Sequence, residues 1–179
     1  MKTVLDLPSG HLRPATVDDL DAVLNLLHDP DVRRYLCDDA LLPRETVAAM
    51  LAESERLDRS GMGLWSIEDF SGGFVGIAGL QPVSEALAGV PEMAGEVEPI
   101  IALHPTFWGQ GLARQTLCAL ASYARSNLHL SQLFAAVDEP NQRSHRLMQT
   151  CGFGPIQTTD GPAHKLIIYR LQLGERGSS

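Results

Sequence analysis

The chain has 179 residues, 44% of them hydrophobic and 20% charged, which suits one domain with a real core and excludes a disordered chain. A formal charge of −8 argues against general nucleic-acid affinity, because that binding depends on Lys and Arg meeting phosphates. Any phosphate ligand must then be held by local backbone amides and a few arginines.

From the N-terminus, LRPATVDDLDAVLNLL begins like a strand and turns helical, with Thr16 as N-cap and Asp19 three residues on. Val17, Leu20, Val23, Leu24 and Leu27 recur at helical spacing and give one apolar face. Asp29 and Pro30 open a short helix toward Tyr35, and Pro43 and Arg44 open another that carries Val47, Met50, Leu51 and Leu57. From Leu64 the period changes: LWSIEDF and FVGIAGL read as two strands joined by the hairpin signal Ser71-Gly72-Gly73. A loop from about Gln81 to Gly95 follows, of a length that is often functional. Then come a strand (Val97 to Leu103), a helix (Gly111 to Asn127), a strand (Leu133 to Val137), a helix (Asn141 to Thr150) and a last strand (Lys165 to Leu171). That order predicts an α/β domain, spanning 1–179 with its core at about 11–171, with a parallel pair of strands at its centre.

No apolar run approaches the roughly 18 residues of a membrane helix, and MKTVLDLPSGHLRP lacks the basic-then-apolar order of a secretory signal. A cytoplasmic protein without membrane partners is expected. Cys37, Cys118 and Cys151 are odd in number and include no CxxC, so no disulfide framework is expected. Cys118 and Cys151 read as small buried hydrophobes. The six histidines show no HxH or HExxH spacing, so no metal site is expected either.

The chemistry concentrates in two segments. In EVEPIIALHPTFWGQGLARQTLCALASYA a buried strand runs into a turn with Gly109 and Gly111 and then into an amphipathic helix. The start of such a helix offers unpaired N–H groups and the positive end of the macrodipole, and glycine lets an anion approach the backbone. A pyrophosphate fits that arrangement, as does a plain strand–helix turn. In DEPNQRSHRLMQTCGF, Asn141 and Ser144 lie one helical turn apart, and Gly152-Phe153 closes the helix.

These segments resemble the GNAT superfamily of N-acetyltransferases. The run Trp108 to Ala113 is similar to its acetyl-CoA pyrophosphate loop, Q/R-x-x-G-x-G/A, with Gly111 and Ala113 at the fourth and sixth positions and Trp108 departing from the first. HPTFWGQGLA, NxxSxxLMxxCGF, LRPATVDDL…DPDVRRYL and WSIEDFSGGFVGIAGL resemble the ribosomal-protein (Rim-type) branch, so the likeness spans about residues 11 to 171. It implies a GNAT fold of the α/β (α+β) class, in which a central mixed, mostly antiparallel sheet has splayed fourth and fifth strands that receive the pantetheine arm. Pro99 then lies in the fourth strand, tolerated at a bulge or where pairing is already broken.

The resemblance implies acetyl transfer from acetyl-CoA, as co-substrate and without a metal, to a primary amine of a small molecule or a protein N-terminus by direct attack. Backbone groups of Gly109, Gln110, Gly111, Leu112 and Ala113 are expected at the cofactor, with backbone groups of Leu103, while Trp108 reads as packing over the cofactor loop or as core. Asn141 reads as a pantetheine partner, a helix N-cap or both. Ser144 reads as a catalytic or thiolate-side contact, or as a solvated helix residue. Arg114, Arg143 and Arg146 are the nearest cations for the 3′-phosphate of CoA, unless they are merely solvated. His104 and His145 read as structural. Glu98, where the branch often carries a glutamate, reads as the acid–base candidate or as a solvated edge carboxylate, with Glu96 on the same face by strand alternation. The alternative function is a non-catalytic acyl-CoA-binding regulatory domain of the same fold, and the expected assembly is a monomer or homodimer.

Overall fold

The computed structural model describes residues 1–84, 87 and 90–174. Strands β1 (Leu5–Leu7) and β2 (Gly10–Pro14) form a hairpin, and Arg13 near its end is clamped to Asp19 by two hydrogen bonds of 2.9 and 2.6 Å. Asp19 also accepts from the Thr16 N–H at 2.8 Å, which fixes the entry into helix α1 (Leu20–His28). Burial pushes the Asp19 carboxyl up, but the bonds from Arg13 and Thr16 outweigh it and hold the group below its ordinary value. Asp29 caps α2 (Pro30–Leu36) by accepting from the Asp31 N–H at 2.9 Å, with Pro30 at the first helical position, where an N–H is not needed. Helix α3 (Arg44–Leu57) buries Val47 and Leu51.

Strands β3 (Gly63–Asp69) and β4 (Phe74–Pro82) pair around the expected turn, and β4 pairs onward with β5 (Val97–Leu103). Helix α4 (Leu112–Ser126) crosses to β6 (Gln132–Asp138), α5 (Gln142–Thr150) follows, and β7 (Gly154–Asp160) and β8 (Lys165–Gln172) end the fold. Phe153 N–H bonds to Met148 C=O and Gly152 N–H to Gln149 C=O, so α5 stops at the left-handed Gly152 as its sequence predicts.

The strands form two sheets, ordered β1-β2-β3-β4-β5 and β6-β8-β7, and every ladder is antiparallel. The parallel pair expected at the centre is therefore not a ladder: β5 and β6 are neighbours without one, and the sheet is split between them. With β1 counted, the splayed fourth and fifth strands of the resemblance are β5 and β6. Strands β1 and β7 were not foreseen. The first is only three residues long, and GPIQTTD opens on Gly-Pro and is mostly exposed, so neither carries an apolar alternation.

Side chains of β4 and β5 sort to two faces. Ala78, Leu80, Val97 and Leu103 pack with Leu112, Leu117, Leu120 and Tyr123 of α4. Ile77 and Ala102 pack with Val23, Leu27, Val47 and Leu51 of α1 and α3, and Ile100 leans on the same cluster. Burying Leu117 and Leu120 completely contributes about 1.5–3 kcal/mol each. A third cluster joins Val90 and Met93 to Phe134 and Ile168 on the side of β6 away from α4. Of the expected loop from Gln81 to Gly95, Gln81 and Pro82 belong to β4, Pro91–Met93 form a 3-10 turn, and 85, 86, 88 and 89 lie outside the described residues. Among the described residues no helix is long and apolar enough to cross a membrane.

Candidate active site

The split between β5 and β6 exposes two rows of backbone groups. The bonds Val83 N–H to Glu96 C=O and His104 N–H to Val75 C=O fix the alternation along β5. Residues 96, 98, 100, 102 and 104 turn their backbone groups to β4, so 97, 99, 101 and 103 turn theirs toward β6. Pro99 falls in the second row, in regular register with Leu80, so its missing N–H costs no ladder bond. The bulge offered for it at the sequence level is not needed. On β6, Glu139 N–H to Lys165 C=O and Leu173 N–H to Ser131 C=O leave 132, 134, 136 and 138 facing β5.

One end of this cleft is tied. Gln132 Nε2 donates to Glu96 Oε1 at 2.8 Å, joining the starts of both strands. The other end carries the predicted loop. Trp108 Nε1 donates to the Leu103 carbonyl at 2.8 Å, and the indole packs against both main core clusters. Leu103 thus offers the cleft its N–H, while its carbonyl is already taken. Gly109 and Gly111 have φ of 74° and 80°, and a Cβ built at either meets nothing within 4 Å. A left-handed turn that faces open space is what an anion cradle requires. Gly111 is the N-cap of α4, so the N–H groups of Leu112 and Ala113 begin the helix without intrahelical partners. Gln110 ties the loop down by donating to the Thr106 carbonyl at 3.0 Å. A cavity of about 470 Å³ lies beside it, between Asp6–Pro8 and Gly111, Arg114, Gln115 and Cys118.

Asn141 is the N-cap of α5, its Oδ1 accepting from the Ser144 N–H at 3.2 Å, so only the amide nitrogen of its side chain is left for a ligand. Ser144 is half-buried in the first turn of α5. Arg114, Arg143 and Arg146 are all exposed. Arg143 lies over the Trp108 ring, 4.2 Å from its centroid. His145 is buried, and its Nε2 donates to the Glu139 carbonyl at 3.0 Å, which leaves Nδ1 to accept from Tyr169 at 2.9 Å. His145 is thus oriented by Tyr169 and the Glu139 carbonyl within the fold. Cys118 is a correction too: it is exposed. Burial, then the neighbouring Cys118 thiol, push Cys151 up to about 11.

Glu98 is half-buried near the tied end, on the face shared with α1 and α3, and Gln81 Nε2 donates to it at 3.2 Å. Burial pushes its carboxyl above the ordinary value, and the Gln81 and Ser84 hydrogen bonds pull only partly back. The cradle and Glu98 are not adjacent. Glu98 lies five positions before Leu103 on β5, about 17 Å at the rise of a strand, and the glycine loop lies beyond Leu103.

Sequence reasoning missed a second group on the face away from α4. Asp138, buried at the end of β6, lies 3.4 Å from His164 Nδ1, and the Tyr35 ring stands 6.2 Å from the His164 ring. Burial and then, more weakly, Asp38 push the Asp138 carboxyl up, partly opposed by His164. These residues come from the end of α2, from β6 and from the β7–β8 turn, and no local spacing links them. Gln81 was findable, since the β4–β5 register places it opposite Glu98. Among the described residues no group of three or more His, Cys, Asp or Glu is placed to hold a metal ion.

A family model described as an acetyltransferase (GNAT) domain matches residues 11–154. Solved structures of similar fold include an acetyltransferase from Agrobacterium tumefaciens, 18% identical with a TM-score of 0.78, covering 96% of this chain and 95% of that one. RimL, a ribosomal L7/L12 alpha-N-protein acetyltransferase solved with coenzyme A, is 18% identical with a TM-score of 0.76 over 95% of this chain and 98% of its own. Spermidine N-acetyltransferase from Vibrio cholerae, solved with CoA and spermine, is 18% identical with a TM-score of 0.72 over 90% and 94%.

Proposed function

The chain belongs to the GNAT acetyltransferase family, and on that premise we propose that it transfers an acetyl group from acetyl-CoA to a primary amine in a ternary complex. One observation carries this reading: an anion cradle at the start of α4 is joined by an unpaired strand edge to a half-buried carboxylate, which lies about 17 Å along β5 from Leu103. A compact phosphate ester cannot reach both ends. A diphosphate with a long, thin, amide-bearing arm can, because the arm pairs with the free backbone groups of β5 as an added strand would.

In this reading the amides of Gly109 to Ala113 bind the diphosphate, and the N–H of Leu103 and the amide of Asn141 hold the arm. Acetyl-CoA, when bound, supplies the activated acyl group. The chain supplies the proton acceptor. An ammonium must lose a proton before it can attack, and free α-amines titrate near ~8 and lysine near ~10.4. Glu98 is the base, and its raised carboxyl makes it a stronger one than an exposed glutamate. Ser144, in the first turn of α5, stands at the cradle end rather than beside Glu98, so in this reading it borders the arm and not the thioester. The acceptor approaches from the face away from α4, where Asp138, Tyr35 and His164 gather and where negative charge suits a cationic amine. RimL and the spermidine enzyme, by their names, acetylate a protein N-terminus and a polyamine, and each of these acceptors carries an amine.

The test is thiol release from acetyl-CoA in the presence of amino acids, polyamines, aminoglycosides and short peptides, alongside thermal shift with acetyl-CoA and NAD. Stabilisation by acetyl-CoA and amine-dependent release are expected. Stabilisation by NAD alone overturns the reading.

A further inference from the structure

We propose that Arg143, seated on the ring of Trp108, is a phosphate-binding residue of the acetyl-CoA site; this deepens the reading above and rests on it. Trp108 leads directly into the glycine loop, and Arg143 is the second residue of α5, just after Asn141. Their stacking at 4.2 Å therefore joins the two segments that border the open end of the cleft.

The platform is firm. The indole donates to Leu103 through Nε1 and packs against both main core clusters, so the ring cannot swing away cheaply. A guanidinium lying on a ring keeps its N–H donors directed outward around the rim. Among the described residues no carboxylate lies within ion-pair distance of Arg143, and no acceptor takes its donors. Its charge is uncommitted in a chain whose net charge of −8 repels a polyanion. Arg114 and Arg146 are exposed nearby, but neither rests on a ring, so each must give up more rotamer freedom to hold a phosphate. Trp108 also occupies the loop position where the resemblance expects Gln or Arg. An indole cannot offer a phosphate the donors of those side chains, and the guanidinium that rests on it from α5 supplies them instead.

Calorimetry on the full chain tests this with three probes: CoA, 3′-dephospho-CoA and pantetheine, which has no phosphate. Arg143→Ala should weaken CoA about tenfold or more and leave pantetheine unchanged. A loss that persists with 3′-dephospho-CoA assigns the diphosphate, and one that vanishes assigns the 3′-phosphate; either supports the proposal. Arg143→Lys should fall between, because it keeps the charge and loses the planar fork. In a Trp108→Leu background Arg143→Ala should cost less, since the platform is gone. If Arg143→Ala binds CoA as wild type does, or loses pantetheine equally, the proposal is wrong while the acetyl-CoA reading stands. A wild-type chain that binds no CoA removes both.

Discussion

Gln132 donates to the Glu96 carboxylate across the starts of β6 and β5, 2.8 Å from nitrogen to oxygen. This bond closes the cleft at the end remote from the glycine loop. It also separates two glutamates that look alike in the sequence. Glu96 bridges the two sheets, while Glu98, two residues on, accepts a long bond from Gln81 within its own sheet.

Glu96→Ala should therefore be a stability variant. Losing one charge-assisted bond at a half-buried site should cost about 1 kcal/mol, read as a lower urea midpoint at unchanged slope. Acetyl-CoA affinity and the pH profile of turnover should stay as in wild type. A collapse of turnover with normal stability would move the base from Glu98 to Glu96.

Gly111→Asp should abolish measurable acetyl-CoA binding in a folded protein. The substitution puts a carboxylate where nothing lies within 4 Å of the built Cβ, in the space left for the diphosphate. Like charges at that range repel by several kcal/mol at surface dielectric, about a hundredfold or more in affinity. The φ of 80° adds strain, so Gly111→Asn, which tolerates that region, serves as the control. Calorimetry on both, with circular dichroism for the fold, decides. Equal affinity in Gly111→Asp would make the loop only a turn.

The glycine loop and the start of α5 were legible because each is local in the sequence. Gly109, Gly111 and the helix they open are consecutive, and Asn141 and Ser144 sit three apart. The group of Tyr35, Asp138 and His164 was not legible, because its members meet only through tertiary packing. The split of the sheet came from the resemblance alone, which gave Pro99 a place without giving the reason. Only the backbone alternation shows that residue 99 turns its nitrogen away from β4. Cys118 misled because an apolar residue on an amphipathic helix carries no mark of which edge of the stripe it occupies.

Arg13 and Asp19 should prove structural. Arg13→Ala removes two bonds to Asp19 at the junction of β2 with α1 and one of 2.7 Å to Glu68 on β3. With a third of the Arg13 side chain exposed, the expected loss is about 1–2 kcal/mol, below the fully buried case. Asp19 has its carboxyl held low, so its contribution is full above the unfolded value, near ~3.9, and fades as pH falls through the folded one. The stability gap between wild type and Asp19→Asn should thus shrink below about pH 4. Chemical denaturation at a series of pH values measures it, and a gap that widens in acid contradicts the assignment.

Glu98→Gln should slow turnover by about 10²–10⁴ with little change in acetyl-CoA affinity, because the cradle lies far along the strand from residue 98. Gln keeps the size of the side chain but cannot take a proton. Pro99 holds residue 98 in an extended conformation, so the substitution should not redirect the side chain. The wild-type rate should rise with pH through a carboxyl titrating above its ordinary range, and the variant should lack that limb. At high pH the two should converge, since the amine then deprotonates in solution. Stability supplies an independent reading. A carboxyl raised by folding favours the native state only while it is protonated, and that advantage is lost as pH rises through the folded value. Above the folded value the wild type therefore carries a buried charge that the variant lacks. Glu98→Gln should melt higher than wild type there, and the gap should close in acid. If it melts lower at neutral pH, Glu98 is a favourable ionised partner of Gln81 and not a desolvated base. If turnover is untouched while the melting behaviour follows this pattern, Glu98 is buried as described but another group removes the proton.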